Sequence, residues 1–333
     1  MQMLRYLLAF GLLAGSTGGA TANDSVAEIG AGGLVLGRSD VVSIESETLY
    51  LSMDQVRVDY LFRNNSADDV ETIVAFPMPD IAFNPYEGNS IPVEDDNFLG
   101  FTVEVDGMPV TPELQQRAVS AGGVDITGLL TGAGLRIAPY DAYEIDMSGV
   151  APADLAAMKA AGAVEMAVAT DGTTPTGMAY PRWTVESAYH WTMTFPANAE
   201  VKVRHTYTPA VGGAAGVFFL MEGAGSALYA DYEKRYCIDA PFVNGAKRRL
   251  ESADPDSGPY YTESWLSYVL TTGANWAGPI KRFRLIVDKG STGNLVSFCG
   301  EGVSKTGPTT FEMVKDDFWP ERDLDVLFIV ANR

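Results

Sequence analysis

Val56-Arg57-Val58-Asp59-Tyr60-Leu61-Phe62-Arg63 is the stretch whose reading decides the fold. Val56, Val58, Tyr60 and Phe62 recur at every second position with Arg57, Asp59 and Arg63 between them, the period of a strand that buries one face. The polar run Asn64-Asn65-Ser66-Ala67-Asp68-Asp69 then turns the chain. Val70, Thr72, Val74 and Phe76 resume the alternation until Pro77 and Pro79, which have no N–H to donate to a ladder, end it. The same period returns in Tyr189, Trp191, Met193 and Phe195, in Val201, Val203, His205 and Tyr207, and in Phe283, Leu285 and Val287. Phe101, Val103 and Val105 run into Asp106-Gly107, a two-residue hairpin signal. Leu324 to Val330 is apolar at both parities, as a strand covered on both faces requires. The chain is therefore expected to be mainly β, an antiparallel β-sandwich-like architecture. Segments 56–79 and 189–209 share one plan, an alternating strand beside a Phe-Pro corner, which fits two related sandwich-like halves or equally a common β patterning.

Residues 111–163 interrupt this pattern. Leu114 and Ala118 are four apart in Pro112–Val119, and Gly122-Gly123 follows. Pro152 stands at a first helical position with Asp154 in the first turn and Gly162 as a stop. A small helical insertion is expected here. It divides a leader (1–22) and an N-terminal β-rich part (23–110) from a C-terminal β-rich part (164–333). Val217–Met221 reads as a short buried strand, and residues 80–97 as a long polar loop.

The N-terminus carries Arg5, a short apolar run from Tyr6 to Leu13, and Ala20-Thr21-Ala22 ahead of Asn23, the features of a secretory signal peptide cut after Ala22. A periplasmic or secreted protein is expected, away from ATP, nicotinamide cofactors and reducing thiols. No later apolar run reaches the length of a membrane helix, so the mature chain is expected to have no transmembrane segment. The formal net charge is −20. Such a surface opposes nucleic acid and anionic lipid, both of which need Lys and Arg. The two cysteines, Cys237 and Cys299, allow one bridge in an oxidising compartment, worth on the order of 4 kcal/mol in the chain-entropy model; the alternative is two buried thiols.

Candidate chemistry is sparse. There are two histidines. His190 lies on a polar strand face and His205 on an apolar one, which reads as one surface imidazole and one hydrogen-bonded core imidazole. No metal site and no cofactor are expected. No G-x-S-x-G, S-x-x-K, H-E-x-x-H or phosphate-binding glycine loop is present; Gly223-Ala224-Gly225-Ser226 reads as a loop. Asp254-Pro255-Asp256-Ser257-Gly258 opens like a calcium loop, but Trp265 stands where an EF-hand needs a bidentate Glu. The aromatics Tyr180, Trp183, Tyr189 and Trp191, and Tyr260, Tyr261, Trp265 and Tyr268, read as core rather than as a stacking groove. The loop 80–97 supplies the candidate ligand-binding residues Asn84, Tyr86, Asp95 and Asp96.

Several stretches, taken in order, resemble one family: Asn23-Asp24-Ser25, Gly32-Gly33-Leu34-Val35, Ala75-Phe76-Pro77-Met78-Pro79-Asp80, Tyr236-Cys237-Ile238-Asp239, Thr272-Gly273-Ala274-Asn275-Trp276, Val287-Asp288-Lys289-Gly290 and Val296-Ser297-Phe298-Cys299. The set resembles the exported bacterial family "domain of unknown function 4424" over almost the whole mature chain. The resemblance implies an exported protein with both cysteines in the family's Cys-bearing motifs, and it supplies no catalytic residue. The expected role is a non-enzymatic module that binds an unidentified protein or envelope ligand. The alternatives are a secreted hydrolase using Asp95 or Asp96 and a calcium-stabilised structural module.

Overall fold

A computed structural model describes residues 23–30, 33–83, 88–93, 95–139, 143–170, 172–253 and 259–332. Among these residues the chain forms 22 strands, five α-helices and one 3-10 turn. The alternating segments pair with one another. Val56–Asn64 lies beside Glu200–Tyr207 in an eight-stranded sheet, with Tyr60 opposite Val203 and Phe62 opposite Val201. Val70–Pro77 lies beside Trp183–Phe195 in a six-stranded sheet, with Phe76 opposite Tyr189 and Val74 opposite Trp191.

Each corner segment therefore carries the chain from one sheet to the other, and the two corners interlock. Their inner faces meet edge to face: Phe62 and Phe195 have ring centroids 5.6 Å apart, and Trp191 and His205 5.1 Å. Phe101 stacks on Tyr189 at 4.3 Å. This is an antiparallel sandwich. Among the described residues the only parallel strand pairing is Ile280–Asp288 with Val42–Leu51. Thr102–Val105 and Met108–Val110 form the expected hairpin, with Asp106 and Gly107 both at positive φ (49° and 79°) as a two-residue turn of this hand requires.

A five-stranded sheet stands between two cores. Its strand Leu324–Asn332 sits between Tyr260–Tyr268 and Leu295–Phe298. Val326 and Phe328 face the sandwich core, while Leu327 and Ile329 face a second core beneath three helices, Phe218–Glu222, Ala227–Tyr236 and Ala240–Glu251. This is the double coverage that the two-parity apolar pattern demands. Cys237 ends the middle helix in the left-handed conformation and is disulfide-bonded to Cys299, just beyond Leu295–Phe298. The bridge ties the helical layer to the sheet.

The fold departs from the sequence reading in four places. Glu113–Ser120 is a strand, paired residue for residue with Trp183–His190. Leu114 and Ala118 share a face at period two as well as at period 3.6, and the free edge of the neighbouring strand decides between them. Helices do form at Thr127–Gly132 and Pro152–Ala160, beside a three-stranded sheet built from 145–146, 164–168 and 175–181. Val217–Met221 is not a strand, because Phe218–Glu222 is helical and buries Phe219. Buried Glu263 accepts the Phe219 N–H at 3.4 Å and so takes up one of that helix's free donors. Finally, the 80–97 segment is not all loop, since Ile81–Phe83 and Gly88–Ser90 pair as short edge strands.

The disulfide closes a 62-residue span. The double variant Cys237→Ser/Cys299→Ser is expected to lose on the order of 4 kcal/mol of stability. Urea unfolding of the oxidised wild type and the variant measures the difference directly.

Candidate functional site

The disulfide forms part of the wall of a groove of 880 Å³, a volume typical of small-molecule sites. Phe298, Phe311, Phe318 and Trp319 give it an apolar lining. Phe318 is held by stacking on buried Phe283, with centroids 4.6 Å apart, and follows Asp317, whose φ is 49°. Trp319 comes next and is 52% exposed although it lines the groove. The walls are pinned by polar contacts. Arg322 donates to the Lys234 and Arg235 carbonyls at 3.2 and 3.0 Å, at the end of the helix that carries Cys237. Asp323 accepts from the Leu270 and Thr271 N–H groups and from the Thr271 hydroxyl.

The rim is acidic. Asp316 pairs with Arg282 at 3.3 Å and Glu301 with Lys315 at 3.4 Å. Among the described residues Asp317 and Glu321 make no ion pair. Negative charge is therefore left over beside an apolar floor.

A second polar constellation is sealed inside the molecule. His205 and Asp24 are both fully buried, and His205 Nε2 lies 2.9 Å from each Asp24 carboxylate oxygen. With Asp24 ionised, the carboxylate accepts and Nε2 donates. Burial pushes the Asp24 carboxyl up, and His205 opposes that push by charge and hydrogen bond. The neighbouring Asn23 is as deeply buried. Its side chain takes a hydrogen bond from the Tyr60 hydroxyl and donates to Glu47 Oε2 at 3.1 Å, and its backbone nitrogen meets Thr272 Oγ1. The Trp276 indole donates to the Asp24 carbonyl at 2.5 Å. Gly273 is required here, because a Cβ would stand 2.7 Å from Asn23 Nδ2. Burial drives the Glu47 carboxyl up to about 8; the Asn23 hydrogen bond opposes this and the Asp24 charge adds to it. Among the described residues, Glu47 Oε1 and His205 Nδ1 have no hydrogen-bond partner. Every group of this cluster is buried.

The residues singled out in the sequence are not brought together with the groove. Asp95 and Asp96 are exposed at a separate cleft of 190 Å³, where Arg136 approaches Asp96 at 4.0 Å. Asn84, Tyr86 and the calcium-like run 254–258 lie outside the described residues. His190 is half-buried on its strand, and Trp183, Tyr189, Trp191, Tyr261 and Tyr268 are core, whereas Tyr260 is exposed. The sequence reading missed the groove aromatics. Their signal was Phe318-Trp319-Pro320, two large apolar residues at the point where a proline stops a strand. It also missed Asp24, which meets His205 across 181 positions.

Compared with known families, the profile of the domain of unknown function DUF4424 spans residues 22–327. The chain belongs to the DUF4424 family. Curated proteins offer no match to this DUF4424 chain. Among solved structures it is similar to a candidate nutrient-binding protein of Legionella pneumophila, at 17% identity and a TM-score of 0.43, over 93% of this chain and 70% of that one. No helix among the described residues is long and apolar enough to cross a membrane.

Asp24→Ala leaves His205 buried without its acceptor and is expected to cost about 3–5 kcal/mol. His205→Leu in that background, which removes the orphaned imidazole, is expected to restore part of the loss. Denaturant midpoints of the two single variants and the double variant measure both effects.

Proposed function

We propose that this DUF4424 chain is an exported, non-enzymatic binding module whose ligand sits in the groove beside the disulfide. The leader read in residues 1–22 and the disulfide support export to an oxidising compartment. The observation that carries the binding reading is the groove itself. It has a volume of 880 Å³ against 230 and 190 Å³ for two other clefts, aromatic walls fixed from behind, and unpaired acid at the rim. The ligand class that fits is a small molecule with an apolar body and a positively charged end. The body displaces water from Phe311, Phe318 and Trp319, at about 25 cal/mol per Å² of apolar surface covered. The cation meets Asp317 and Glu321. Catalysis by a paired carboxylate has no comparable support: Asp95 and Asp96 are exposed at a cleft of 190 Å³.

The test is a titration of tryptophan fluorescence with octylamine, octanol and octanoate, three probes that share a tail, each kept below its aggregation threshold. Binding is expected to be tightest for octylamine and weakest for octanoate. The octylamine preference should shrink in Asp317→Asn/Glu321→Gln, and the signal should vanish in Trp319→Ala. Equal binding of octanoate, or a response that Trp319→Ala leaves intact, would contradict the assignment.

A further inference from the structure

Two carboxylates, Asp24 and Glu47, are buried together, and the described residues place no Lys or Arg against either of them. His205 serves Asp24. Glu47 receives one hydrogen bond, from Asn23, and its other oxygen faces the interior with no partner. A buried carboxylate in this state is expensive, and folds that retain one ordinarily supply a cation. The residue that abuts Glu47 is Asn23, which the sequence reading makes the first residue after the leader. Its backbone nitrogen sits in the same enclosure, against Thr272 Oγ1, and its carbonyl accepts from the Thr272 hydroxyl at 2.5 Å.

We propose that the missing cation is the chain's own processed N-terminus: removal of the leader after Ala22 turns the Asn23 nitrogen into an α-ammonium that docks in this pocket and pairs with Glu47. Hydrolysis of the Ala22–Asn23 bond by an export peptidase adds one water. Ala22 leaves with the carboxylate at the end of the leader, and Asn23 keeps its nitrogen, which takes up the proton. The pocket is shaped for this terminus. Gly273 leaves room for the Asn23 side chain, Tyr60 and Glu47 grip its amide, and Trp276 and His205 hold Asp24 behind it. The upward push of burial on the Glu47 carboxyl is opposed once a positive charge lies beside it. Maturation thereby supplies the cation, and a chain with one extra residue ahead of Asn23 leaves Glu47 buried without it.

The experiment compares three oxidised proteins: the exported chain, whose intact mass reports its first residue; a chain released from a tag to begin at Asn23; and the same chain with one extra Gly before Asn23. Native samples are treated with an acetylating succinimidyl ester and mapped by mass spectrometry. The exported chain is expected to begin at Asn23. In both Asn23-start chains the α-amine should resist acetylation while exposed Lys202 and Lys247 react. The Gly-extended chain is expected to melt about 5–10 °C lower. Glu47→Gln is expected to abolish the difference between the Asn23-start and Gly-extended chains. Should that variant not fold, the amine protection in the wild type still decides the matter. An export product beginning elsewhere, an Asn23 amine as reactive as Lys247, or equal melting of the two starts would overturn the proposal. Octylamine binding at the groove is independent of all three outcomes.

Discussion

The contact between Asp24 and His205 is the constraint on which the rest of the structure depends. His205 belongs to Glu200–Tyr207 of the eight-stranded sheet, and Asp24 leads directly into Ser25–Gly30 of the six-stranded sheet. The pair is a polar link between two faces that otherwise meet through aromatic rings. Phe76, Trp191, Phe101 and Tyr60 surround the imidazole at centroid distances of 5.0–5.6 Å, so no water competes for the hydrogen bond and only one register of the two sheets satisfies it. Trp276 and Thr272 come from the turn between Tyr260–Tyr268 and Ile280–Asp288, which brings the third sheet to the same point. Burying these groups costs free energy that apolar packing would not. What the contact supplies is a unique alignment of three sheets.

Much of the sandwich was legible because a strand with one wet face announces itself at period two. Val56–Phe62, Val70–Phe76, Tyr189–Phe195 and Val201–Tyr207 are the central strands, and the corner plan common to 56–79 and 189–209 corresponds to two strand pairs that cross between the sheets and lock into each other. The errors lie where one pattern serves two periods or where a run is short. Leu114 and Ala118 fit strand and helix equally, and a paired edge settled the matter. Phe218–Glu222 is five residues long, and its helical state rests on Glu263, 44 positions away from Phe219. The helices 227–236 and 240–251 did carry local signals, Ser226 and Asp239 as side-chain caps, but these sit among glycines and prolines that also mark loops.

The sites were less legible for a related reason. Sequence reasoning ranks polar loops, and it led to residues 84–96. The groove is instead made of residues that look like core, Phe298, Phe311 and Phe318, arranged so that they pack on one side and remain open on the other. Only the disulfide, which fixes one wall, and Trp319, stranded beyond the last turn of its strand, mark the place locally. Likewise Asn23-Asp24-Ser25 reads as a polar start to a chain, and nothing local shows that all three residues end up buried. The fate of the Asn23 and Asp24 side chains and of the Asp24 carbonyl is set by partners 24 to 252 positions away, which no window along the sequence contains.

The measurement that tests the central claim most directly is native-state hydrogen exchange on the oxidised protein, resolved at the amides of residues 24–27 and 201–207. If the N-terminal segment is the polar key of the sandwich, both sets exchange only through global unfolding, with equal free energies that follow the denaturant dependence of the whole molecule. Rapid exchange at 24–27 while 201–207 stay protected would show a segment that merely rests on a sandwich already complete without it, and would contradict the account.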